Sequence, residues 1–535
     1  MPASASTIGR YIVETLAANG IDTAFGIPGV HNIELYRGLE GAQLRHVLAR
    51  HEQGAGFAAD GYARATGRCA AAFVISGPGV TNVLTAVAQA YSDSVPLLVI
   101  ASAPLRASLG QAWGVLHELR DQRALAGQVF GYAGGVRDPA ELPGELRKAF
   151  AVLRAPRPRP AYVEIPLDLL GAATTLQAER FAPPPPPAAP PGAALEQARA
   201  WLREAQRPML VLGGGARPAG AAARTLAEAL DGFIVTTVAA KGCVPESHPA
   251  QLGASLQFRP IQELISDADV VVAAGTELSE TELFSTTRLA LRGRLIRIDV
   301  DPAKLDDHYA AALRIGADAA TTLGALAAEL PRRQGWRSEI GDAAQQRARV
   351  EAGFDAATRA RHAALQALRA ALPADGAVFS DMTQIAYLGN YAFPAERPGL
   401  WHHPAGYGTL GYALPAALGA KVGQPERPLL ALAGDFGVQF TLGELMTAVE
   451  LDLTLPLVVW NNEALGQIRD DMQAAGIAPI GVHGRNPDFV ALAAACGAAA
   501  TRVHSPAQLR DAVRAALGRA GPTLVEAVAA DFHPA

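Results

Sequence analysis

The stretch from Ala433 to Gln467, AGDFGVQFTLGELMTAVELDLTLPLVVWNNEALGQ, decides the fold. An unbroken apolar run, Leu429 to Ala433, enters it and reads as a strand buried on both faces of a parallel sheet. Gly434-Asp435 follows at the strand's carboxyl end, where open α/β sheets hold their ligands. A helical pattern, Leu442, Leu445, Met446 and Val449, leads to a second buried run, Leu455 to Trp460, which ends on Asn461-Asn462. Two neighbouring parallel strands would thus bring a carboxylate and a carboxamide to one rim. So sparse a set of hard oxygen ligands suits Mg²⁺, which keeps waters and completes its octahedron with phosphate oxygens. A structural Asp and a turn-forming Asn pair in an ordinary nucleotide-binding unit would look the same in this stretch alone.

The rest of the chain repeats this alternation of helix and buried strand. Ile8 to Leu16 is helical, Thr23 to Gly26 is a short strand, and Gly26-Ile27-Pro28-Gly29 is a turn. The segment AGFAADGYARATG is a helix of small residues, Ala70 to Ser76 a strand and Gly77-Pro78-Gly79 a tight turn, after which Thr81-Asn82 can cap a helix. Val95 to Ala101 is another buried strand. Pro183 to Pro191 is a stiff, extended linker and marks a boundary. Strands are expected beyond it at Pro208 to Gly213, Asp269 to Ala274 and Arg294 to Val300, then a charged helical connection, Arg332 to Arg361. A last unit carries strands near 377–380, 429–433, 455–460 and 523–527. The fold class is α/β, with three doubly wound parallel-sheet domains at 1–180, 193–335 and 360–535, and it has the look of a duplication.

Composition excludes several functions. A net charge of −5 leaves no electrostatic footprint for nucleic acid or an anionic membrane. Cys69, Cys243 and Cys496 are far apart, lack metal-like spacing and suit a reducing cytoplasm. The first helical pattern carries Arg10 and Glu14, so it is an amphipathic helix and not a signal peptide, and no uncharged run approaches the length of a bilayer span. A cytoplasmic location is expected.

The Gly-Asp pair followed after one βαβ unit by Asn-Asn resembles the thiamine diphosphate signature. With the segment RHEQGAGFAADGYARATG around Glu52, it makes the whole chain similar to the acetolactate synthase, pyruvate oxidase and 2-oxo acid decarboxylase superfamily. The resemblance implies a pyrimidine-binding first domain, a structural or FAD-holding central domain and a diphosphate-binding third domain. FAD is not expected, because Gly213-Gly214-Gly215 is a weak cue. It also implies a homodimer or homotetramer with the site between chains.

Carried over residue by residue, the metal ligands are Asp435, the side chain of Asn462 and the carbonyl of Ala464. Contacts to the cofactor are implied for Pro28, Gly29, Met382, Thr383, Gln384, Gly408, Gly434, Phe436, Gly437, Leu465, Gly466 and Gln467. Phe436 departs from the small residue usual after the Asp. Leu410 matches the bulky residue that bends the cofactor and builds proximity in before substrate arrives. Glu52 matches the acid beside the aminopyrimidine, for which shielding and a raised pKa are expected. His31 and His117 are the candidates for moving protons near the reacting carbon, since imidazole titrates near neutrality.

Departures narrow the reaction. Enzymes similar to pyruvate decarboxylase have an acid where Val30 stands, adjacent histidines near His117 and a Glu at Ile468. Acetolactate synthases have an aromatic residue near Asp471 and a Gln at His117. The helix after the Asn pair reads Gly466-Gln467-Ile468-Arg469-Asp470-Asp471. Its acids could pair with a guanidinium on the substrate, with Gln467, Ile468 and Asp471 as the substrate-contacting set, or could simply be a solvated face. Taken together, GIPGVHNIELYRGL, RHEQGAGFAADGYAR and LHELRDQRAL most resemble 5-guanidino-2-oxopentanoate decarboxylases. The alternatives are an acetolactate synthase-like carboligase and, in another class, an inactive nucleotide-binding scaffold.

Overall fold

A computed structural model describes residues 6–284 and 286–532, so the extreme ends of the outer two expected domains lie outside the described residues. Three all-parallel sheets follow one another along the chain. The first runs, edge to edge, Arg45–Leu48, Thr23–Gly26, Ala70–Val74, Leu97–Ala103, Ala161–Pro166 and Tyr132–Gly135. The third runs Trp401–His402, Ala377–Ser380, Leu429–Gly434, Leu455–Asn461, Pro522–Val528 and Ala499–Val503. Numbered within each sheet, both orders are 2-1-3-4-6-5. The five-stranded central sheet follows 2-1-3-4-5, with Pro208–Leu212 as its first strand. In both six-stranded sheets the order reverses between strands 1 and 3, which opens a crevice at their carboxyl ends. Among the described residues no helix is long and apolar enough to cross a membrane.

The strands expected from apolar runs are present, with ends shifted by one to two residues, as in Leu97–Ala103. All six edge strands escape the sequence reading. Some, such as YAGG at Tyr132–Gly135 and AATRV at Ala499–Val503, lack an unbroken apolar run, because an edge strand need not be buried as its neighbours are; Phe233–Thr236 is fully buried and is simply short. Ala161–Pro166 is an interior strand masked by Glu164, whose buried carboxylate accepts hydrogen bonds from Gln122 and Tyr162. One expectation is corrected. The helix after Gly77 begins at Pro78, with Gly77 at φ +65° as its cap, so Thr81 and Asn82 lie inside the helix instead of capping it. Proline fits that first position because its missing N–H would have no helical partner.

The first and third sheets meet through the helices Glu52–Thr66 and Ala413–Gly423. A Cβ on Gly61 would stand 1.9 Å from the Ala416 carbonyl oxygen, and one on Gly419 would stand 1.8 Å from that of Ala58. The two backbones therefore touch directly. Arg64 pairs with Asp60 at 2.6 Å and Asp93 at 2.7 Å, and the Tyr412 hydroxyl donates to Asp60. At the other end of the same helix, Glu444 accepts from the backbone N–H groups of Arg50 and His51.

Two buried histidines close this region. His403 is pushed down to about 3 by burial, with Arg64 adding to the effect, and its Nδ1 is 2.9 Å from Ser380 Oγ. His402, stacked on Phe379 with centroids 4.3 Å apart, is held well below the usual range by burial and then by Arg217. Both are neutral in the fold and titrate near 6.5 when unfolded. The stability they contribute is therefore complete above about 6.5 and is lost as pH falls toward 3, at about 1.4 kcal/mol per pH unit for each. Tm is expected to drop between pH 7 and pH 5, and His403→Asn should flatten that dependence in calorimetry.

Candidate active site

At the switch point of the third sheet, residues from five loops converge. Asp435 follows strand 3 and is buried, which raises its pKa, while Asn486 donates to its Oδ2 at 2.7 Å. Asn486 also donates to Asn461. Asn462 follows the next strand, with its Oδ1 3.3 Å from the Ala464 nitrogen, and Leu465 is pinned by a bond to the Val482 carbonyl. Glycines keep the rim open. A Cβ on Gly434 would meet Thr383 at 3.0 Å, one on Gly437 would meet Asp381 at 3.1 Å, and one on Gly466 would meet both Asn462 and Gln384 under 3 Å. Gly408 turns at φ +72° beside Met382.

Asp381 binds this rim together. It is fully buried, accepts from Met382 N–H at 2.8 Å and from Gly411 N–H at 3.0 Å, and burial raises it to about 6. It therefore ties the 381–384 turn to the segment that carries Leu410, which is half-buried. Phe436, the residue out of keeping with the signature, is accommodated by Gly484: a Cβ there would lie 2.7 Å from the ring. Neither Gly484 nor Asn486 was named from the sequence, since residues 475–487 carry no periodic pattern.

A buried carboxylate without a cationic partner in its hydrogen-bond set, an adjacent carboxamide and a cradle that Cβ atoms would fill together fit a magnesium-bound diphosphate. Asp435, Asn462 and Ala464 could hold the ion, and the backbone N–H groups of 434–437 could face phosphate oxygens. Among the described residues no group of three or more His, Cys, Asp or Glu could form a metal cluster, so such an ion would depend on amide and phosphate oxygens besides the Asp435 carboxylate.

The first sheet presents a second cluster at its own switch point. Asn32 staples the Pro28-Gly29 turn, accepting from Gly29 N–H at 2.8 Å and donating to the Ile27 carbonyl. His31 follows that turn, with Nδ1 2.5 Å from Ser76 Oγ at the end of strand 3. The His31 and His117 rings meet edge to face, 4.8 Å between centroids. Burial, then the neighbouring His117, lowers the His31 pKa. His117 holds φ +64° and packs on Gly77, where a Cβ would stand 2.5 Å from its carbonyl oxygen. Glu52 opens its helix and is buried, with Oε2 accepting from Asn82 at 2.9 Å and Oε1 3.5 Å from where a Gly79 Cβ would lie. The residue read as a helix cap thus binds the candidate acid.

Tyr412, two residues beyond Leu410, bonds to Asp60, eight residues along the helix that Glu52 begins, roughly 12 Å at 1.5 Å per residue. Of the substrate set, Gln467 donates to Asp471 at 2.9 Å, Asp471 is exposed and Ile468 is 51 % exposed. Asp470 is occupied by Gln384 and Arg469. Gly213 to Gly215 line a cavity of about 880 Å³ where the three sheets adjoin.

Two Rossmann-like sheets of identical strand order each gather polar residues at their switch point, where doubly wound folds place their ligands. Three family models match in series: the N-terminal TPP binding domain of thiamine pyrophosphate enzymes over residues 6–125, their central domain over 195–326 and their C-terminal TPP binding domain over 381–527. The chain belongs to the thiamine pyrophosphate enzymes, and its cofactor is thiamine diphosphate. It is 49 % identical, over 98 % of its length and 94 % of the relative's, to "Probable 2-ketoarginine decarboxylase AruI" of Pseudomonas aeruginosa. It is 30 % identical to the acetolactate synthase isozyme 1 large subunit of Escherichia coli, over 96 % of this chain and 92 % of the relative. A probable acetolactate synthase large subunit of Methanocaldococcus jannaschii is 28 % identical, over 97 % and 91 %.

Proposed function

We propose that this chain is a cytoplasmic, Mg²⁺-dependent decarboxylase of 5-guanidino-2-oxopentanoate (2-ketoarginine), releasing CO₂ and the corresponding aldehyde. The observation that carries the substrate is the 49 % identity, over nearly the whole chain, to a relative that bears that name. Thiamine diphosphate supplies, when bound, a ring that accepts the electron pair left by CO₂. Asp435, Asn462 and Ala464 would hold the ion, and Leu410 would pack against the cofactor. Glu52, steadied by Asn82, is the acid that would hold and return a proton at the pyrimidine end of the site. His31 and His117 move protons at the reacting carbon. Asp471, held by Gln467 and open to solvent, is the partner for the guanidinium.

The site is completed by a second copy, in a homodimer or homotetramer. Exposed apolar side chains on both clusters, Val30 and Leu116 on one and Phe440 and Ile468 on the other, fit such a covering. The reading divides the chain into a pyrimidine-binding domain at 1–180, a central domain at 193–335 and a diphosphate-binding domain at 360–535. CO₂ release is expected to show kcat/KM at least about tenfold higher for 2-ketoarginine than for pyruvate, the scale of one well-formed charge-assisted contact. A preference for pyruvate overturns the substrate assignment. A second reading, carboligation, draws on the 30 % identity to acetolactate synthase. Acetolactate or acetoin made from pyruvate, in place of acetaldehyde, would favour it.

A further inference from the structure

We propose that Ser76 is a positioning residue that fixes His31 as the imidazole carrying its proton on Nε2, and so directs that N–H as the hydrogen-bond donor that orients a solvent water, the source of the proton that completes the reaction. This rests on the decarboxylase reading above and adds a residue to it. Ser76 is fully buried at the end of Ala70–Val74, and its backbone N–H donates to Ser102 Oγ at 3.0 Å. Its hydroxyl is 2.5 Å from His31 Nδ1 and has no other hydrogen-bond partner among the described residues.

That isolation selects the tautomer. A hydroxyl can donate one hydrogen, and a neutral imidazole carries one N–H and one bare nitrogen. With the proton on Nδ1, the ring would donate to Ser76 Oγ and the buried hydroxyl hydrogen would have no acceptor. With the proton on Nε2, the hydroxyl donates to bare Nδ1 and every buried donor in the pair is used. Leaving a buried donor unmet costs enough to decide between tautomers that are otherwise nearly equal. The surroundings hold the arrangement. The Gly77 N–H donates to Gln122 Oε1, and Gln122 in turn donates to the Ser102 carbonyl and to Glu164, so the turn that carries Ser76 is tied to two strands. His117 lies edge-on at 4.8 Å and, with burial, disfavours a second proton on His31. His31 is then neutral, with its single proton directed away from the serine.

The chemistry divides into two measurable halves. CO₂ leaves first, and the carbon left behind must then take up a proton before aldehyde is released. Ferricyanide intercepts between them: two equivalents take the electron pair, water supplies the oxygen, and the carboxylic acid forms without protonation of that carbon. In the holoenzyme, Ser76→Ala is expected to lower aldehyde release about tenfold or more, while ferricyanide-coupled CO₂ release stays within about twofold; Ser76→Thr, which keeps the hydroxyl, should restore the aldehyde. Equal loss in both halves, or no loss in either, overturns the proposal. Neutron diffraction from the cofactor-free wild-type protein, exchanged into D₂O, reads the tautomer without any variant: deuterium on Nε2 of His31 is expected, and deuterium on Nδ1 overturns it. The two halves are compared with whichever 2-oxo acid the wild type turns over. A preference for pyruvate therefore defeats the substrate reading alone, and an unchanged ratio in Ser76→Ala defeats this one alone.

Discussion

Glu52→Gln is expected to lower kcat by about 10²- to 10⁴-fold, the range that a positioned acid–base group supplies, with little change in Tm. The substitution keeps the shape of the side chain and leaves a carbonyl oxygen to accept the Asn82 amide, so the helix that begins at position 52 has no reason to fray. It removes only the capacity to carry and return a proton. Cofactor affinity should change far less than turnover, because a proton-exchange role is felt after binding and the diphosphate end is held by other residues. Initial rates with saturating thiamine diphosphate, alongside calorimetry, check both statements. Turnover within a factor of about three of wild type would remove Glu52 from the reaction.

Asp435→Ala is expected to abolish cofactor binding at ordinary magnesium concentrations, raising the Mg²⁺ needed for half-saturation by about 100-fold or more. Loss of an outer partner of a ligand already costs about 10- to 100-fold, and Asp435 is the charged member of a set otherwise made of amide oxygens. The cofactor-free protein should respond the other way. Burial raises the Asp435 pKa, so removing the carboxyl relieves a desolvation cost, and the Tm without ligand should stay level or rise. Thermal shift with and without thiamine diphosphate and Mg²⁺ separates the effects. The ligand-induced rise in Tm should vanish while the baseline holds. A ligand-induced rise equal to that of wild type would show that the ion is held elsewhere.

The sites of these two substitutions differ in how they become visible. Asp435 is legible in the chain because its strand, Leu429–Gly434, is buried on both faces and apolar throughout. A Gly-Asp pair at the end of Leu429–Gly434 then stands out, and so does the Asn pair after Leu455–Asn461. None of the six edge strands was found: most are partly exposed or broken by polar residues, and the buried ones, Phe233–Thr236 and Trp401–His402, are four and two residues long. Asn82 and Ser76 could not be assigned their partners at all. Asn82 looks like a helix cap until the helix is seen to begin four residues earlier, and the partners of Ser76 lie 26 and 45 residues away. Phe436 is out of place beside the signature and reasonable beside Gly484, 48 positions on.

By itself, then, the amino-acid order determined what is periodic or contiguous: the interior strands with unbroken apolar runs, the proline linker, the rim residues at strand ends, and the family those motifs mark. The tertiary structure alone decided which polar groups face one another. It paired His31 with Ser76 and His117, gave Asn82 to Glu52, and bound the Leu410 turn to Asp381. The reason is physical. Burial is imposed on each strand by its own apolar run, whereas a hydrogen bond across a switch point needs two loops, distant in the chain, to arrive at one place with matching donors and acceptors.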